Sequence, residues 1–261
     1  MFHYEFMQNA LIAGFIIAIL ASLSGSFIVL KRYSLMTETL AHSSLVGVAI
    51  GILTGFSTLW MAVIVSILSA WLIEYLRGSF NLYSDAILAI FLSGSLALAI
   101  IMVSLSGAFN SSLFSYLFGS ILAVSNHDLI IMGIFGFVAM ILLIGFSKEL
   151  LFLVYDEEVA KTSGIKVKWL NYLLITIVAV TVALSIRIVG VFLIAALMVI
   201  PTIAALQFGY GFLKTVMLAL LFACLSVFIG MVLSYMFSLP SGAAIVMCVI
   251  IIFIISLIIN K

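Results

Sequence analysis

Glu38 and His42 stand four residues apart inside Met36-Thr37-Glu38-Thr39-Leu40-Ala41-His42-Ser43-Ser44-Leu45-Val46-Gly47. Four residues is just over one helical turn, so the two side chains share one face of a helix. A carboxylate oxygen and an imidazole nitrogen are donors that zinc and its first-row neighbours accept. The same pair could carry protons, since ionisable groups at membrane depth usually mark an ion or proton path. A local Glu–His hydrogen bond that steadies the helix start is the structural alternative. Function is favoured because the sequence around the pair is apolar, which predicts that both groups are buried and paired.

The elements that must position this pair are membrane helices. The chain has 261 residues, 67% hydrophobic and 7% charged, against about 25% charged in soluble domains. Nine apolar segments, at about 8–30, 36–55, 58–76, 85–106, 128–147, 169–187, 189–208, 214–235 and 242–260, are each about long enough to cross ~30 Å of hydrocarbon. Residues 110–124 are apolar but too short to span alone, and read as an outer half-helix. The fold class is therefore all-α, a polytopic bundle of about 8–9 spans with one half-helix, in a single transmembrane domain over 1–261. The first segment reads as a span and not as a cleavable leader, because Lys31-Arg32 stand where a small-residue cleavage site would fall. Ten basic and nine acidic residues leave no surplus for binding nucleic acid. The surrounding partner is membrane lipid.

Basic residues orient the chain. Lys31, Arg32, Arg77, Lys148, Lys161, Lys166, Lys168, Lys214 and Lys261 fall on one side of a nine-span chain, and Arg187 alone on the other. The positive-inside rule makes the first side cytoplasmic, with the N-terminus outside and the C-terminus inside. Ser125 to Asp128 has capping-box spacing. Pro201 should kink or break the seventh span. Gly47 and Gly51 form a small-residue face for close helix packing. Asp85 reads as an N-cap, Glu74 and Arg77 as an interfacial pair, and His127, with His3 and Glu5, as external. Arg187 snorkels or meets acids on another protein. Cys224 and Cys248 read as core residues.

The one polar stretch, 147–168, carries Asp156-Glu157-Glu158 before Val159-Ala160, then Lys161 and Gly164. Acids first, a base later and a closing glycine predict a short helix with a favourable dipole. Such a helix could dock a partner or simply be a solvated connector. No phosphate-cradling G-x-x-x-x-G-K-[ST] occurs, so any ATP is hydrolysed by another chain.

Taken in order, these blocks resemble the membrane subunits of the metal-ion ABC importers for zinc, manganese and iron, the ABC-3 type. Gly25 to Arg32 is similar to that family's first-span exit, and Glu38 to Leu45 to its acid-x-x-x-His signature. Tyr116 to Val124 is similar to its outer half-helix and Asp156 to Gly164 to its coupling helix. Val189-Gly190 through Pro201, then Leu239 to Gly242, complete the order. The zinc-uptake branch is the most similar. The resemblance implies a transport subunit and not an enzyme. It implies Glu38 and His42 as ligands of a transported divalent metal, zinc or else manganese or iron, with no permanently bound cofactor. Asp156, Glu157, Glu158, Ala160 and Gly164 are implied as the contact with cytoplasmic ATPase subunits. It further implies a permease homodimer, an extracytoplasmic metal-binding protein and a bacterial cytoplasmic membrane. Glu38 departs from the family's usual aspartate, and its extra methylene bears on metal preference.

Two other functions compete. A secondary transporter would use Glu38 as proton carrier and need no ATPase. A membrane metalloenzyme would need a water-activating motif, and no H-E-x-x-H is present.

Overall fold

A computed structural model describes residues 5–79, 83–105, 111–120 and 124–260. Its described elements are all helical: α1 Glu5–Leu30, α2 Ser34–Thr54, α3 Thr58–Ser79, α4 Ser84–Leu105, α5 Ser111–Phe118, α6 Asn126–Gly145, α7 Ser147–Tyr155, α8 Glu157–Thr162, α9 Val167–Ser185, α10 Ile194–Leu206, α11 Phe212–Phe237 and α12 Ser241–Ile259. Helices are what hydrocarbon permits, because each satisfies its own backbone polar groups. Eight of them, α1, α2, α3, α4, α6, α9, α11 and α12, are long and apolar enough to cross a membrane.

The expected seventh span over 189–208 is not one helix. Residues 186–193 are turns, and the helix that follows has only 13 residues. Pro201 sits inside α10, which runs on as one helix from Ile194 to Leu206. The break lies upstream, at Gly190, whose φ of 87° only glycine adopts readily. The short segment at 110–124 is α5, eight residues long, with residues 121–123 of the half-helix block outside the described residues.

Helices α1, α2 and α9 form the buried interior, with α3, α4, α6, α11 and α12 more exposed around them. Glycines set the closest approaches. A Cβ at Gly47 would lie 2.4 Å from the Met61 carbonyl of α3, and one at Gly25 2.1 Å from the Met198 carbonyl of α10. Gly51 meets Thr58 of α3 in the same way, so the small-residue face on α2 packs on α3.

Polar contacts mark the two ends of the bundle. Asn126 bonds Glu5 and Asn9 at one end, where Thr58 also meets Tyr116. At the other end Lys31 donates to Asn171, and Asn260 to the Gln207 carbonyl. Of the nine described basic residues, eight lie at this second end and Arg187 at the first. Lys261 and His3 are outside the described residues.

Replacing Gly47 by Val is expected to lower the thermal midpoint of the purified protein by an amount equal to about 1–3 kcal/mol of overpacking. Gly94→Ala, inside α4 where nothing lies within 4 Å of a new Cβ, is expected to hold or slightly raise the midpoint. Equal midpoints for the two variants would refute the α2–α3 packing.

Candidate metal-transport site

Helix α2 begins at Ser34, so Glu38 lies about 6 Å and His42 about 12 Å along its axis. Thr39 and Ser43 face α4, where they bond the Leu88 carbonyl and Ser95. Gly47 and Gly51 face α3. Glu38 and His42 lie on the remaining sector. The structure separates the burial of the two groups, against the expectation of a buried pair: His42 is 3% exposed, whereas Glu38 is on the exposed surface. No hydrogen bond joins them among the described residues, and His42 Nδ1 has no hydrogen-bond partner there. The reason is local. The surface near Leu35 and Glu38 is left open by the neighbouring helices, while Phe192 covers His42.

Phe192 comes from the turn between α9 and α10. Its ring meets His42 edge-on at 5.7 Å and Phe118, at the end of α5, at 5.8 Å. Phe118 also lines an open cleft of about 630 Å³ with Ser120, Ser234, Tyr235 and Ser241. Two aromatic rings therefore stand between a hydroxyl-lined cleft and the imidazole.

Backbone pairing holds those rings in place. Val191 N–H donates to the Tyr116 carbonyl at 3.0 Å, Phe192 N–H to Leu117 at 3.4 Å and Ser120 N–H to Arg187 at 3.0 Å. The approach is so close that a Cβ at Gly119 would sit 2.1 Å from the Ile188 carbonyl, and one at Gly242 1.9 Å from that of Val189. Arg187 anchors the unit to the bundle. It pairs with Asp128 and donates to Thr58 at 3.2 Å. The expectation that Arg187 snorkels or meets another protein is corrected by this internal pair. Asp128 also closes the capping box with Ser125 that begins α6. Sequence reading missed Phe118, Phe192 and the Arg187–Asp128 pair. The glycines at 119 and 190 are the only local signal of the turn that brings them together.

At the opposite end Asp156 caps α8 by accepting from the N–H groups of Glu158 and Val159 at 3.0 Å. Gly164, with φ 81°, ends it. Ala160 is buried and Glu158 exposed. Glu157 turns toward the bundle, accepting from Asn171 at 3.2 Å and lying 3.8 Å from Arg77. Arg77 makes two bonds to Glu74, the predicted pair. Burial first, then the Arg77 charge, lowers the Lys31 ammonium to about 8, while Glu157 and Glu74 oppose the shift. Asp85 falls within the first turn of α4. No group of three or more His, Cys, Asp or Glu side chains able to hold a metal occurs among the described residues; on α2, Glu38 and His42 are the two side chains of these types.

The profile of the ABC 3 transport family matches residues 3–260. The chain belongs to that family. The probable metal transport system membrane protein of Treponema pallidum (strain Nichols) is 40% identical over 242 residues, covering 93% of this chain and 91% of that protein. The manganese transport system membrane protein MntC of Listeria monocytogenes is 32% identical, over 97% of this chain and 90% of its own. The high-affinity zinc uptake system membrane protein ZnuB of Haemophilus influenzae is 30% identical over 97% of both. Among solved structures, PsaBC from Streptococcus pneumoniae in complex with Fab matches with a TM-score of 0.86 and 32% identity, over 97% of this chain and 91% of that one. The protein is thus a membrane permease of an ABC metal importer, a transport subunit whose ATPase is a separate chain. A stand-alone proton-coupled carrier and a membrane metalloenzyme are set aside by that membership.

Two measurements test the charge clusters of the permease. Removing one member of a largely buried pair is expected to cost about 3 kcal/mol or more. Asp128→Asn and Arg187→Gln should therefore each lower the thermal midpoint, and the double variant should fall well short of their sum; strict additivity would dissolve the pair. For Lys31 the folded-state value near 8 lies below its ordinary 10.5. Between those values the unfolded chain holds the extra proton, so stability rises with pH. The midpoint of wild type relative to Lys31→Gln should be flat below pH 7 and climb from pH 8 to 10. A flat difference throughout would show that Lys31 titrates normally.

Proposed function

We propose that this permease carries zinc into the cytoplasm and that Glu38 and His42 contact the ion in transit. The observation that carries the reading is the contrast between the two groups. A buried imidazole with an unpartnered nitrogen lies one turn from an exposed carboxylate on an otherwise apolar face. A carboxylate exposed on an apolar face one turn inside a membrane helix is unfavourable unless it is covered or paired, so a second permease covers that face. A two-fold axis beside α2 then supplies two more donors, giving the four that zinc favours.

The basic end of the bundle faces the cytoplasm by the positive-inside rule, which leaves Glu5 outside and Ile259 inside. Helix α8 there seats in the ATPase, with Glu158 exposed toward it, Asp156 and Gly164 setting the two ends of the helix and Ala160 holding it on the bundle. Glu157 serves the same contact from its inner edge. The hydroxyl-lined cleft faces outward, where a metal-binding protein delivers the ion. Phe118 and Phe192 keep water from His42. Zinc follows from the likeness of the Glu38–Leu45 and Tyr116–Val124 blocks to the zinc-uptake branch. Manganese is the rival, favoured by the relatives named as manganese permeases.

Uptake of zinc and of manganese by the complete complex in proteoliposomes tests the reading, in wild type, Glu38→Ala and His42→Ala. Loss of groups that merely support a metal ligand lowers affinity about 10–100-fold, so each variant should lose at least about tenfold of its zinc uptake with assembly intact. Manganese moved in preference to zinc would reassign the substrate. Full uptake in both variants would remove the pair from the ion path.

A further inference from the structure

Four parts of the chain meet where α8 leans on the bundle: the α1–α2 turn, the end of α3, the start of α8 and the first turns of α9. Their side chains form one connected cluster. Glu157 of α8 accepts from Asn171 of α9, and Asn171 accepts from Lys31 of the α1–α2 turn. The other Glu157 oxygen lies 3.8 Å from Arg77 of α3, and Arg77 holds Glu74 at 2.6 and 3.1 Å. The Lys31 ammonium and the Arg77 guanidinium lie 5.0 and 5.3 Å from the centre of the Tyr33 ring. Tyr33 is the N-cap residue of α2. Five residues on is Glu38 and nine on is His42, both on the unbroken helix that Tyr33 precedes.

The charges balance. Lys31 and Arg77 are matched by Glu74 and Glu157, and two cations share one aromatic ring. Withdrawing Glu157 leaves the two cations beside one Tyr33 ring with Glu74 as the remaining carboxylate of the cluster. Its contact with Arg77 is long and half-exposed, so it is weak enough to be made and broken. Helix α8 has six residues, too few to hold itself rigid, and its ion pair among the described residues is this one. A shift of α8 therefore changes the charge balance at the N-cap of the helix that carries Glu38 and His42.

We propose that Arg77 is a positioning residue that couples α8 to the metal pair, through the Tyr33 ring and the rigid start of α2. This rests on the reading that α8 seats in an ATPase. Arg77 touches neither ion nor nucleotide. It sets how α2 responds when α8 moves.

The test uses the complete complex in proteoliposomes and reads metal ions moved per ATP hydrolysed. Arg77→Gln and Tyr33→Leu are expected to assemble and to hydrolyse ATP at the wild-type basal rate. Their ions per ATP should fall about 5- to 150-fold, the range of typical coupling between sites. Tyr33→Phe, which keeps the ring, and Arg77→Lys, which keeps the charge, should recover most of the ratio. A merely structural brace would lower hydrolysis and uptake together through poorer assembly and leave the ratio at the wild-type value; that result, in either Arg77→Gln or Tyr33→Leu, overturns the relay. If wild type itself shows no ATP-dependent uptake of zinc or manganese, the importer reading fails and the relay fails with it. Wild-type uptake with unchanged variant ratios sinks the relay alone.

Discussion

The pairing of the 187–193 turn with the end of α5 is the contact on which the rest of the molecule depends. Non-helical backbone is tolerated at membrane depth only where protein satisfies it. Here the donors at Ser120, Val191 and Phe192 and the acceptors at Tyr116, Leu117 and Arg187 come from segments about 70 residues apart in sequence. Without α5, the turn would expose unpaired amides. Without the turn, α10 could not begin beside His42, and α12, which enters through the Ser241 hydroxyl bonded to the Ile188 carbonyl, would lose its seat. Two short pieces thus do what a ninth long helix would otherwise do, and they bring an aromatic wall to the imidazole as they do it.

Charge is confined to the two ends for the same reason. Arg187, Asp128 and Thr58 tie the turn to α6 and α3 at one end. Glu157, Arg77, Glu74, Asn171 and Lys31 tie α8 to α3, α9 and the α1–α2 turn at the other. Between them the interior holds hydroxyls that bond back to the carbonyl one turn earlier, as Ser22, Ser24, Ser26, Thr181 and Ser185 do. Those residues let helices approach without stranding a donor. Glu38, about one turn inside α2, is exposed on an apolar face, and that exposure is the observation behind the proposed covering subunit.

Much of this was legible in the sequence wherever the signal is local. The shared face of Glu38 and His42, the Ser125–Asp128 capping box, the Asp156 cap with its closing Gly164, the Glu74–Arg77 pair and the Gly47–Gly51 seam all lie within a few residues of their partners. The rest was hidden because its partners are distant. Residues 186–191 are apolar apart from Arg187 and Gly190, and the glycine alone does not say where the turn pairs; the backbone groups that complete it belong to Tyr116, Leu117 and Ser120. Arg187 looks like a free cation until Asp128 is brought to it. Glu38 looks buried because its neighbours in sequence are apolar, yet burial is decided by which helices cover its sector of α2, and none of those described does. Glu157 reads as an outward acid of a docking helix, and only the positions of Arg77 and Asn171 turn it inward.

The unpartnered Nδ1 of His42 has a kinetic meaning. In tight metal sites the second ring nitrogen of a ligating histidine is tethered to a carboxylate or carbonyl, which fixes the ring and makes it a stronger donor. His42 has no such tether among the described residues and is steadied instead by the edge of Phe192. Nothing on the Nδ1 side fixes the tautomer of such a ring. If His42 meets the ion in transit, as proposed above, a ligand without that tether is a weaker donor than one in a tight site, so a cation would be held briefly and let go within a transport cycle.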